Sequence, residues 1–108
     1  MRRPEEGAKE TIMAELTLIS SSQCPLQPLV EGALQNELRL LEAGIRRGEQ
    51  RLQEFEARYG LSTAEFVQRY ENDALGETLE FAERIGEYRL RECLLEKAAA
   101  VRAIQFAD

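Results

Sequence analysis

Four glutamates, Glu77, Glu80, Glu83 and Glu87, recur at helical spacing. Carboxylates so arranged supply the hard oxygen ligands a magnesium ion takes, as in helical hydrolases built on acidic clusters. The plain alternative is a solvated acidic first turn favoured by the helix dipole, with Glu80–Arg84 and Glu87–Arg91 as i,i+4 surface pairs. Arg39, Arg46, Arg47 and Arg51 form a basic band. An all-helical mutase gripping a dicarboxylate needs such a band; so does a coiled coil, whose flanking charges set register and partner choice. Twelve of the 14 basic residues are arginine, which suits bidentate carboxylate contacts at interfaces. The plain reading is the stronger in both cases, because no polar set converges on a recognisable pocket.

The chain lacks histidine. That removes His-based acid–base chemistry, Ser-His-Asp and Cys-His nucleophiles, and the Glu-x-x-His motifs of di-iron bundles. Cys24 and Cys93 stand far apart, so neither a zinc site nor a disulfide scaffold is indicated. Cys93 is expected as a small core residue and Cys24 as a loop thiol, exposed or half-buried. The expectation is a non-enzymatic chain with no catalytic residue, metal or cofactor.

Something must position these charges, and the 108 residues allow one small domain. With 20 acidic residues against 14 basic ones, the net charge is −6. An acidic surface is a poor match for a phosphate backbone, so nucleic acid is not expected as a partner of the chain alone. No stretch approaches 18 apolar residues and no apolar leader opens the chain, so a cytoplasmic protein with no membrane contact is expected.

Residues 1–28 read as a flexible or extended arm and 29–108 as a helical domain. Met1 to Glu10 carries nothing able to offset ordering entropy, and Met13 is an alternative natural start. Glu15 to Ile19 alternates and is β-branched, which suits a short strand or an extended arm. Pro25 and Pro28 predict a bend before the first helix.

From Leu29 to Tyr59 no proline intervenes. Leu34, Leu38, Leu41, Ile45, Gly48, Leu52, Phe55 and Tyr59 alternate at spacings of four and three, which is a heptad seam. A helix of that length, roughly 45 Å, cannot bury its stripe on itself. Gly60 suits a left-handed C′ position, and Ser62-Thr63-Ala64-Glu65 suits a capping box that opens a short helix carrying Phe66, Val67 and Tyr70 and ending near Asn72 and Asp73. Gly76 or Thr78 then caps a last helix running to about Phe106.

That helix has two stripes. Phe81, Ile85, Tyr88, Leu95 and Ala99 form one; Leu79, Ala82, Gly86, Leu90, Cys93, Leu94, Val101 and Ile104 form the other. One stripe serves a hairpin neighbour, so the second implies another copy or another protein. Gly48 on the seam is expected to form a notch, with Gly86 as its counterpart across the hairpin, whereas Gly44 lies off the seam. The expected fold is all-α: a long antiparallel helical hairpin with a short helix at the bend, dimerising into a four-helix core. Leu34, Leu38, Leu41, Ile45, Gly48, Leu52, Phe55, Phe81, Ile85, Tyr88 and Leu95 are the expected interface residues.

The block from Leu52 to Tyr88 carries Phe55, Glu56, Tyr59 and Gly60, then Glu65 and Phe66, then Tyr70, Glu71, Leu75 and Gly76, then Glu80, Phe81, Gly86, Glu87 and Tyr88. The pattern F-E-x-x-Y-G, E-F, Y-E-x-x-x-L-G, E-F and G-E-Y resembles small all-helical prokaryotic proteins that serve as antitoxins of two-gene toxin–antitoxin pairs. It spans about a third of the chain. Arg84 departs from it, standing where that family carries an aromatic, usually tryptophan. The resemblance implies a homodimer or higher oligomer that neutralises a small basic toxin protein. An acidic dimer with an unpaired arm suits that role, since the arm can add to a partner's sheet edge or fold on binding. The alternative expectation is a homo-oligomeric structural or adaptor protein.

Overall fold

A computed structural model describes residues 14–106, which contain three helices and no strand: α1 (Leu26–Tyr59), α2 (Thr63–Glu71) and α3 (Leu79–Arg102). The expectations for Met1 to Glu10 and for a start at Met13 lie outside the described residues. α1 and α3 pack antiparallel as a hairpin, and α2 sits at the bend.

α1 starts three residues before the predicted Leu29. Pro28 therefore lies inside the helix, in the first turn, where a backbone N–H has no intrahelical acceptor and its loss costs nothing. The segment before it, residues 14–25, is exposed throughout and forms no strand. Leu16, Leu18 and Ile19 are all strongly exposed, Ile19 at 92%. α1 ends as predicted: Gly60 adopts φ +64° and its N–H donates to Glu56 O.

α2 and α3 start at the predicted hydroxyl caps. Ser62 Oγ accepts from Glu65 N–H at 3.2 Å, and Thr78 Oγ1 accepts from Phe81 N–H at 3.0 Å. The return half of the predicted capping box is not made. Glu65 instead pairs with Arg69 at 2.8 Å, and it is Glu56, reaching over from α1, that accepts from Thr63 N–H at 2.7 Å. α3 stops at Arg102, short of the predicted Phe106, which leaves Ile104 and Phe106 beyond the helix.

The core has two clusters. Leu41, Ile45 and Ala98 form one along the hairpin, with Leu38, Leu94, Leu95 and Val101 against them. Phe66, Val67 and Ile85 form the other at the bend, with Leu61, Tyr70, Leu75, Phe81 and Tyr88 around them. The α1 seam is thus covered by α3 of the same chain. Leu41, Ile45, Gly48, Leu52 and Ile85 are buried; Leu34, Leu38, Phe55, Phe81, Tyr88 and Leu95 are half-buried.

The second stripe of α3 divides. Leu94 and Val101 join the first core cluster, while Leu79, Leu90 and Ile104 are exposed. Cys93 is exposed as well, contrary to the core position expected of it, because it lies on the side of α3 turned away from α1. The glycines also exchange roles. A Cβ on Gly44 would stand 3.1 Å from Leu94 Cδ1, so the residue off the seam is the one at a close approach. A Cβ on Gly48 would meet Arg91 Cβ at an ordinary 3.8 Å, and Gly86 faces open space with no counterpart opposite.

Candidate functional site

The bend holds a buried arginine and a set of cross-linked carboxylates. Arg84 projects from α3 inside the first stripe, between Phe81 and Tyr88, and is fully buried. Its Cζ lies 4.3 Å from the centroid of the Phe66 ring and 5.8 Å from that of Phe55, a cation–π position over both helices it joins. Nη2 donates to Leu61 O at 2.7 Å, while Nε and Nη1 find no hydrogen-bond acceptor among the described residues. Burial lowers the Arg84 pKa, and the nearby Glu56 carboxylate opposes that effect. The guanidinium remains charged at neutral pH, because arginine does not release its proton in proteins. Arg84 thus fills the interior of the bend with a flat cation stacked on Phe66.

Glu56 and Glu80 tie the three helices together. Glu56 is held below the ordinary glutamate range, first by the Thr63 N–H and then by other Thr63 and Arg84 interactions. Glu80 accepts from the Tyr59 hydroxyl and from Arg58. The Tyr59 hydroxyl, followed by Arg58, keeps the Glu80 carboxyl low, and Glu80 in turn raises Tyr59. Arg51 pairs with Glu87 at 2.6 Å, and that carboxylate raises the arginine's pKa. Arg91 lies 3.5 Å from Glu49, and Arg102 lies 2.8 Å from Glu42.

These partners correct the i,i+4 pairs expected from the sequence. Arg58, Arg91 and Arg102 reach across to the opposite helix, and Glu80 and Glu87 do the same, because facing side chains of an antiparallel pair are at least as close as neighbours along one helix. The cross-links also account for two members of the acidic series. Glu80 and Glu87 are neutralised by arginines of α1, and among the described residues no group of three or more His, Cys, Asp or Glu side chains gathers to hold a metal. The basic band disperses likewise: Arg39 donates to Asn36 at 2.8 Å, Arg51 pairs with Glu87, and Arg46 and Arg47 are exposed.

Beside this junction runs an open groove of about 630 Å³. Arg51 and Arg58 of α1 and Glu80, Glu83 and Glu87 of α3 line it, with Phe55 and Gly86 among them. Arg51 with Glu87 and Arg58 with Glu80 are paired across the hairpin, whereas Glu83 forms no ion pair among the described residues, and the groove is wide open to solvent. That geometry suits contact with a surface rather than enclosure of a small substrate. No helix among the described residues is long and apolar enough to cross a membrane.

Sequence reasoning placed Glu80 and Glu87 at the site but not their partners, and it missed Arg84 and Glu56 as structural centres. One signal for Arg84 was present: its position completes the helical stripe between Phe81 and Tyr88. The fold and site define an all-helical hairpin with a charge-laced bend and an exposed apolar arm. Neither protein-family models, nor curated proteins, nor solved structures show a match to this chain.

Proposed function

We propose that the chain is a non-enzymatic protein-binding module, an antitoxin-like protein that self-associates and neutralises a small basic partner protein by covering it. The observation that carries this reading is the arm: residues 14–25 are exposed and belong to no helix or strand, and Leu16, Leu18 and Ile19 present apolar side chains to solvent. Three such side chains in one short segment cost free energy in water and gain it against a partner's surface or sheet edge. The net charge of −6 favours encounter with a basic partner. The Leu52–Tyr88 pattern points the same way.

The test is growth rescue. The open reading frame next to this one is induced in a bacterium, alone and with this chain. The reading predicts that the neighbour arrests growth, that the chain restores it, and that Leu16→Asp with Ile19→Asp weakens rescue while the chain stays folded. Arrest without rescue, or no arrest, contradicts it.

A further inference from the structure

We propose that the chain forms a twofold dimer through the face of the hairpin opposite α2, with the symmetry axis passing beside Leu90. α2 packs against Phe81, Ile85 and Tyr88 on one side of the hairpin. At about 100° per residue, Leu79, Glu83, Gly86, Leu90 and Lys97 fall within roughly 60° of one another on the opposite side of α3. Leu40, Arg47, Glu54 and Arg58 fall within a similar arc of α1. The groove joins the two arcs into one face, since Glu54 and Arg58 line it together with Glu83, Gly86 and Leu90. On that face Leu40, Leu79 and Leu90 are 61%, 77% and 52% exposed.

The occupant follows from the order of these residues along the hairpin. Gly48 lies opposite Arg91, Arg51 opposite Glu87 and Arg58 opposite Glu80. Counted from those pairs, Leu90 is level with Glu49, Lys97 with Glu42, Glu83 with Glu56, and Leu79 with Gly60. A half-turn about an axis lying across the face near Glu49 sets Leu90 on Leu90 of a second copy. The same half-turn sets Lys97 against the copy's Glu83 and Arg47 near its Glu54, and it lays Leu40 beside the stem of the copy's Arg58, in one layer with the copy's Leu79. The four relations share a centre to within about 2 Å of helix rise. A face with apolar groups at its middle and ends, and opposite charges at mirrored heights, is complementary to itself, as an isologous interface requires. Two helices about 10 Å apart over some 30 Å present about the 800 Å² per partner of a stable interface.

The inference deepens the self-association part of the proposed function and does not depend on a toxin. Sedimentation velocity of the full chain over a concentration series tests it, with no other protein present. The expected result is a dimer whose dissociation constant rises about tenfold in Lys97→Glu and in Glu83→Lys and recovers in the double variant. In a Cys24→Ser, Cys93→Ser background, Leu90→Cys cross-links two chains on oxidation, and Glu96→Cys, on the other side of α3, does not. A monomer at every concentration overturns both the inference and the self-association part of the function. A dimer indifferent to both charge reversals, or one cross-linked through Glu96→Cys and not Leu90→Cys, overturns the face alone.

Discussion

Arg84 is the residue on which the bend turns. A charge with no carboxylate hydrogen-bonded to it, buried against Phe66 and Phe55, contributes shape and stacking more than ion pairing. Arg84→Met keeps the stem and removes the desolvated charge, so its unfolding free energy should stay within about 1 kcal/mol of the parent or rise. Arg84→Ala leaves a cavity beside Phe66 and should lose about 2–4 kcal/mol. Urea denaturation of both variants checks the pair, and an Arg84→Met loss as large as that of Arg84→Ala would show that the cation itself holds the bend. Gly48 offers the opposite case. A Cβ there meets only ordinary contacts, so Gly48→Ala should stabilise α1 by about 0.5–1 kcal/mol through helix propensity, measured the same way. A marked loss would reinstate the notch expected from the sequence. Arg84 was hard to place because an arginine is expected outside, and only the packing of α2 over the stripe makes its position interior.

At the scale of elements, the caps were legible and the cross-links were not. Ser62, Thr78 and Gly60 announce helix ends because their reasons are local: a hydroxyl over an N–H, and a left-handed φ. Glu56 serving the α2 amide depends on where α1 ends in space, and no local spacing encodes that. Pro28 misled for a related reason, since proline breaks a helix interior yet fits the first turn. The electrostatics of the junction carry a pH dependence of definite sign. Glu56 and Glu80 both titrate lower in the folded chain than in the unfolded one. Their stabilisation is therefore complete above the ordinary glutamate pKa of about 4.3 and is lost as pH falls through the folded values. Thermal melts should be flat from neutral pH down to about 5 and should drop below about 4. Glu56→Gln should lower the neutral-pH melting temperature and make the acid drop shallower. An acid limb unchanged by Glu56→Gln would remove Glu56 from the account.

At the scale of the molecule, the all-α hairpin with its bend helix follows from the seam, the caps and the two stripes of α3. What the seam could not reveal is its partner. Heptad spacing shows that Leu41 and Leu52 need a facing helix, and it is indifferent to whether that helix belongs to the same chain; the structure supplies α3. Leu52→Asp puts a carboxylate into a buried position and should cost about 4 kcal/mol, a large part of a small domain's stability, which a sharp fall in the melting temperature followed by circular dichroism would show. The exposed arm and the face around Leu90 both offer apolar side chains to other molecules. The claim that the chain exists to cover a partner is met most directly by mixing the purified chain with the product of the neighbouring open reading frame and measuring mass by light scattering on a sizing column. The account predicts a single complex heavier than either component, weakened when Leu16 and Ile19 are changed to aspartate. Two separate peaks at micromolar concentration, from a neighbour that still arrests growth, would contradict it.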